Sequence, residues 1–293
     1  MTIKGLIVET DILSNTYPFP KFAGSAGLNC YKFPLIYFPV SFMLRRGVKD
    51  ITLALTRESI ETAQTLFSSG RQLGVNIRYK ILDEPSFLAR EILEDTEHFR
   101  GNNVIYSSSN SVLWGKDLRS SISDAIQIAE DPKKDDIATI FGKYTNDCLN
   151  FETMTVDLCS NIIRFGPGES EVETSLIVPK VGIYPKDIVE VVESLSIELI
   201  DEALKPINNS YLRMKRLEHI FIHSDELWFQ VNCFQTLNKL SKILEEYATK
   251  HRIIIGSPER SAFQAGLINQ NQFEMLIKNY QSEEFKDLLR YNI

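Results

Sequence analysis

Ile51-Thr52-Leu53-Ala54-Leu55, then a helical stretch from Glu58 to Ser69, then Val75-Asn76-Ile77-Arg78-Tyr79-Lys80-Ile81 reads as strand, helix, strand. An apolar run of five residues is too short for a helix and suits a strand buried on both faces. The same unit repeats outward in both directions. Ile3 to Val8 and Val104 to Tyr106 are further short apolar runs, and Leu35 to Arg46 and Phe87 to Glu97 have helical periodicity. In Leu118 to Glu130, Leu118, Ile122, Ala125, Ile126 and Ala129 mark one helical face. Strand–helix alternation with short connections predicts an α/β fold: a Rossmann-like, mostly parallel central sheet with helices on both faces. Ligands in such sheets sit beyond the carboxyl ends of the strands. That singles out Glu9 to Gly27, Asp83 to Phe87 and Ser107 to Ser111.

From Ile137 to Tyr184 the pattern changes to antiparallel or mixed strands, with a turn at Gly166-Pro167-Gly168. Helical pattern returns at Asp187 to Leu195 and dominates from Asn232, and Ser257-Pro258-Glu259-Arg260 resembles a helix start with Pro in the first turn. The expected division is an α/β core over residues 1–230 and a helical carboxyl-terminal part over residues 231–293. In the latter, Phe273, Leu276, Ile277, Tyr280, Phe285, Leu288 and Leu289 recur at helical spacings. This face offers more apolar surface than a terminal tail needs, so the expectation is an oligomerisation or effector surface, the alternative being that it packs on its own domain.

The chain of 293 residues is long enough to bury a large core without disulfides or metal. Its 32 Lys and Arg against 39 Asp and Glu give a formal charge of −7, and no basic block is present. Such a chain makes a poor nucleic-acid or membrane-surface binder. Cys30, Cys148, Cys159 and Cys233 are scattered, which predicts reduced thiols and a cytoplasmic setting. The amino terminus lacks a signal-peptide pattern, and Phe33 to Leu44, interrupted by Pro34 and Pro39, is too short to span a bilayer.

Generic motifs yield no active site. His219 and His223 lie on one extended segment, about 13 Å apart, too far for both to bind one metal ion. Gly24-Ser25-Ala26-Gly27 lacks the Gly-Lys-Ser/Thr of a phosphate loop and reads as a flexible loop. No G-x-S-x-G or H-E-x-x-H element occurs.

Longer stretches carry a resemblance. Phe33-Pro34-Leu35-Ile36-Tyr37-Phe38-Pro39, Gly47-Val48-Lys49-Asp50-Ile51, Trp114-Gly115-Lys116-Asp117-Leu118, Glu198-Leu199-Ile200-Asp201 and Ser257-Pro258-Glu259-Arg260-Ser261-Ala262-Phe263 occur in order over nearly the whole chain. Together they resemble the sugar-1-phosphate nucleotidyltransferases, and within them the glucose-1-phosphate thymidylyltransferases. The resemblance implies the nucleotide-diphospho-sugar transferase type of α/β fold. It also implies a reaction in which a sugar-1-phosphate oxygen attacks a nucleotide α-phosphate and pyrophosphate leaves.

The family's site motifs fare differently. Where the family reads L-A-G-G-x-G-T-R-L-x-P-L-T, this chain reads Val8-Glu9-Thr10-Asp11-Ile12-Leu13-Ser14-Asn15-Thr16-Tyr17-Pro18-Phe19-Pro20. Thr10, Asp11 and Leu13 replace the glycines, Asn15 the arginine, and Ser25 the lysine ten residues on. The two metal-binding aspartates fall on Asn110 and Gln230. The base-recognising glutamine and glycine fall near Leu82 and Phe87, the sugar-contacting glutamate on Ser196, and the E-K-P motif near Pro167-Gly168-Glu169.

Glycines let backbone N–H groups approach a triphosphate, and Ile12 and Leu13 should obstruct that approach. Mg²⁺ needs carboxylate oxygens, and amides are poor substitutes. Each electrostatic group lost commonly costs about 3 kcal/mol of barrier. Losing four approaches about 10 kcal/mol, although such effects do not add cleanly. The expectation is a pseudoenzyme with no catalytic residue, cofactor or metal. It would regulate or assemble with other components of nucleotide-sugar metabolism, as a homo-oligomer or as a hetero-oligomer with an active paralogue. The alternatives are an enzyme or binding protein with a sugar or nucleotide-sugar ligand in the old cleft, and a thymidylyltransferase with rearranged metal ligands.

Overall fold

The structure, a computed structural model, describes residues 3–10, 24–115, 117–130, 136–144, 151–168, 173–200 and 204–291. Asp11, Ile12, Leu13, Asn15 and Glu169 lie outside the described residues.

The first half alternates as the apolar runs require. In order come β1 (Ile3–Val8), the short pair β2 (Asn29–Cys30) and β3 (Phe33–Pro34), α1 (Tyr37–Arg45), β4 (Asp50–Thr56) and α2 (Arg57–Phe67). β5 (Asn76–Leu82), α3 (Leu88–Glu94), α4 (Thr96–Phe99), β6 (Asn103–Ser108), β7 (Ser111–Trp114) and α5 (Asp117–Glu130) follow. The second half continues with β8 (Ala138–Gly142), β9 (Thr153–Val156), β10 (Ile162–Phe165), β11 (Thr174–Ile177) and β12 (Val181–Tyr184). Then come α6 (Ile188–Glu193), α7 (Lys205–Arg213), β13 (Leu217–Phe221), β14 (Leu227–Gln230), α8 (Phe234–His251), α9 (Pro258–Gln264), α10 (Gln270–Ile277) and α11 (Glu283–Arg290).

The central sheet has the strand order β13-β8-β12-β6-β1-β4-β5. β4 runs parallel to β5, with Ile51 opposite Ile77 and Leu55 opposite Ile81, and β8 runs parallel to β13. β12 is antiparallel to both of its neighbours. Ile51 to Leu55 are buried throughout, as an inner strand requires, whereas β5 lies at the sheet edge and exposes Ile81.

Internal contacts divide the chain into two units. The first contains Ser86–Ser107 and Gly115–Trp228, with the first residues of β1. Within it, β9 pairs antiparallel with both β10 and β11. Met154, Val156, Phe165 and Leu176 of these strands pack with Ile140 and Val178 in a small core. A side chain at Gly142 would meet Met154 Cε at 2.4 Å and Leu176 Cδ1 at 2.9 Å, so the glycine makes room for that core.

The second unit contains Gly5–Pro85, Ser108–Trp114 and Phe229–Ile293. α1 is buried over Tyr37 to Leu44 and packs against α9. Ser257 caps α9 by accepting from Arg260 N, with Pro258 at its start, as the sequence indicates. Phe273, Ile277, Phe285 and Leu289 of α10 and α11 are all buried within the chain. Phe285 lies 5.7 Å from Phe33, and Phe273 stacks on Phe263 at 5.1 Å. Four of the seven residues of the expected apolar face are thus covered by their own unit, while Leu276, Tyr280 and Leu288 are half-buried. Among the described residues no helix is long and apolar enough to cross a membrane.

Candidate functional site

Two polar clusters lie at the carboxyl ends of β1 and β6, both in the second unit. Glu9 follows β1 and is 3% exposed. Its carboxylate accepts from Thr56 N and Thr56 Oγ1, each at 2.8 Å, from Ser59 Oγ at 2.9 Å, and from Ser25 Oγ. Four converging donors replace the hydration that a buried carboxylate loses. Ser25 reaches Glu9 because the preceding turn packs tightly on α2. Gly24 has φ +61°, and a side chain there would meet Ser59 Oγ at 2.1 Å and Ser59 N at 2.5 Å. Gly24, Ser25 and Ala26 are buried, so the expected flexible loop is instead a packed turn.

The second cluster joins the β6–β7 turn to the end of β14. Gln230 Nε2 donates to Asn110 Oδ1 and, at 3.0 Å, to Ser108 Oγ. Ser108 Oγ donates to Ser111 Oγ at 3.1 Å, and Ser111 Oγ donates to Gln230 Oε1 at 2.8 Å. Asn110 Nδ2 donates to Val231 O at 2.8 Å, and Val231 N returns a bond to Asn110 O at 2.9 Å. The result is a closed ring of donors and acceptors, with Asn110 2% and Gln230 6% exposed.

The resemblance places a Mg²⁺ ion between positions 110 and 230, and the residues present do not fit one. A cation there would have to displace Gln230 Nε2 from Asn110 Oδ1, and it would gain only neutral amide oxygens. Among the described residues no group of three or more His, Cys, Asp or Glu could hold a metal ion. Glu226, close to the two histidines in sequence, is committed elsewhere. It accepts from Leu118 N at 2.7 Å, near the start of α5, and from His223 N at 2.9 Å.

The structure thus brings Asn110 and Gln230 together and gives Ser25 a separate partner. Thr10 is buried beside Glu9, and Leu82 is buried at the end of β5. Phe87 is half-buried just before α3, and Ser196 is exposed before a short turn at Ile197–Leu199. Sequence reasoning missed Glu9, Thr56, Ser59, Ser108 and Ser111. Glu9 and the serines of Ser107 to Ser111 lie in segments singled out by strand polarity, but their mutual bonds depend on tertiary contacts. Just beyond Gln230, Cys233 precedes α8. Burial pushes its thiol up, but hydrogen bonds from Thr236 and Gln235 outweigh this and leave its pKa lowered.

A mostly parallel sheet with helices, and polar residues gathered at the carboxyl ends of β1 and β6, defines a Rossmann-like α/β fold. The chain belongs to the nucleotidyl transferase family, whose model matches residues 26–247. It is similar to the glucose-1-phosphate thymidylyltransferase of Mycolicibacterium smegmatis, at 20% identity over 92% of each chain. It is likewise 23% identical to that of Xanthomonas campestris pv. campestris, covering 93% of this chain and 91% of the other. Its fold matches a putative glucose-1-phosphate thymidylyltransferase from Bacillus anthracis in complex with a sucrose, with a TM-score of 0.71 at 17% identity. That match covers 83% of this chain and 95% of the other.

Proposed function

We propose that this chain is a catalytically inactive member of its family, acting in the cytoplasm as a regulatory or assembly partner in nucleotide-sugar metabolism. The observation that carries the reading is the direct Asn110–Gln230 hydrogen bond inside a closed ring of buried polar groups. Phosphoryl-transfer chemistry depends on positioning and on neutralising developing charge. Two amides that satisfy one another do neither. Ser25, matched by the resemblance to a lysine, is likewise bound to Glu9, so a carboxylate is buried beside the position of a phosphate-binding cation.

The test is to incubate the purified chain with dTTP, glucose-1-phosphate and Mg²⁺ and to measure pyrophosphate and nucleotide-sugar. No product is expected. Turnover within about a hundredfold of an active relative would overturn the reading, since loss of one electrostatic group alone costs that much. Calorimetric titration with sugar phosphates and nucleotide-sugars, with and without Mg²⁺, checks the rival reading of a changed ligand in the same cleft.

A further inference from the structure

A groove of about 1000 Å³ opens on the first unit between β10, β11, α7 and β13. Clefts of about 300 to 1000 Å³ hold small organic ligands. The floor is aliphatic: Val156 and Leu176 are buried there, and Ile162, Leu212 and Leu217 are half-buried against the small core. Phe221 lines only the rim, where it is exposed. A floor of branched side chains with no stacking ring favours an aliphatic body over a planar base.

One titratable side chain, His219, is set among these residues. Alternate side chains of a strand share a face, so His219 lies on the same side of β13 as Leu217. Leu217 packs on the small core, and a side chain at Gly142 would meet His219 Cδ2 at 3.4 Å. Among the described residues no hydrogen bond or ion pair engages the imidazole, which lines the groove. Burial lowers its pKa, so at neutral pH it offers one N–H donor and one acceptor nitrogen.

The charged groups lining the groove differ in what they leave available. Asp157 Oδ1 accepts from Cys159 N and Asn161 N, each at 2.8 Å, and Asp157 Oδ2 accepts from Asn161 Nδ2 at 3.0 Å. That carboxylate is taken up by its own turn. Glu218 alternates to the face of β13 opposite Leu217 and His219. Lys215 is exposed and, among the described residues, has no ion-pair partner. Its backbone is held at φ +57°, and Ser160, which also lines the groove, is at φ +63°. Left-handed backbone costs stability in any residue but glycine, and strain of this kind gathers at ligand clamps.

We propose that this groove binds a small amphipathic carboxylic acid, its aliphatic body on the Ile162 and Leu217 floor and its carboxylate engaged by His219 and Lys215. The Lys215 ammonium supplies the charge, and the His219 N–H supplies a directed hydrogen bond. The site uses no residue of the Asn110–Gln230 ring, so it stands whether or not the chain forms nucleotide-sugar.

Calorimetric titration of the full chain with decanoate, from about 0.01 to 1 mM, should show one saturable site with a Kd of about 100 µM. Decanol and acetate each lack half of the ligand and should bind at least about tenfold more weakly. The imidazole resonances of His219 should move as decanoate is added. Lys215→Gly and His219→Leu should each weaken binding about tenfold. Lys215→Gly should melt no lower than the wild type, because glycine relieves the positive φ. Absence of a saturable site would overturn the proposal. So would decanol binding as tightly as decanoate, unchanged affinity in either variant, or a loss of binding that merely tracks a fall in melting temperature.

Discussion

At the scale of single residues, the difference between a carboxamide and a carboxylate organises the site. Asn110 uses its nitrogen to reach Val231 O and its oxygen to receive Gln230 Nε2, two roles that no carboxylate can combine. Asn110→Asp would set an acceptor against a carbonyl oxygen 2.8 Å away in a buried site. The expected loss is about 2 to 4 kcal/mol in urea unfolding, and an unchanged midpoint would refute this account of the ring. His219 supplies a pH dependence. Burial lowers its pKa below the ordinary 6.5, so the unfolded chain binds the proton more tightly. Its contribution to stability is therefore complete above about pH 6.5 and is lost as pH falls through the folded value. The melting temperature of the wild type should fall more steeply from about pH 7 to 5 than that of His219→Gln. Parallel slopes would show that the residue plays no such part.

At the scale of elements, the carboxyl-terminal helices show what periodicity specifies. The spacing of Phe273, Ile277, Phe285 and Leu289 establishes an apolar face but leaves open what covers it. Here the cover is internal, through Phe33 and Phe263. Phe285→Ala should therefore destabilise the fold by about 3 to 5 kcal/mol, read by thermal or urea unfolding. Truncation before Asn269 should abolish cooperative melting, because it strips partners from both aromatics. A truncated chain that melts cooperatively, changed only in mass, would return these helices to a purely intermolecular role. β4 was legible because an inner strand has one possible surrounding, apolar on both faces. β5 was legible as a strand, but its edge position depended on which neighbours the sheet provides.

At the scale of the whole molecule, restoring charge should not restore chemistry. Asn15→Arg, Ser25→Lys, Asn110→Asp and Gln230→Asp return the four charged groups that the resemblance implies. Ser25 and Gln230, however, are built into buried clusters, and Leu13 still stands at a position where the family has glycine. A displacement of about 1 Å can cost a hundredfold even with every group present. The quadruple variant is expected to form no nucleotide-sugar at saturating Mg²⁺ and to unfold at lower urea than the wild type. Robust turnover would show that the cleft is still shaped for nucleotide, contrary to the proposed function.

The sequence by itself determined the main strand–helix alternation of the first half (though not the short strands β2, β3 and β7), the change to antiparallel or mixed strands after residue 137, and two of the segments where polar groups gather, Glu9 to Gly27 and Ser107 to Ser111. These are local properties, set by the period of apolar residues and by strand direction. The tertiary structure alone decided that Gln230 meets Asn110 across 120 residues, that Glu9 draws in Ser25, Thr56 and Ser59, and that the last helices close on their own unit. Hydrogen bonds between side chains far apart in the chain leave no periodic trace, because any donor and acceptor at those positions look alike until the backbone brings them within 3 Å.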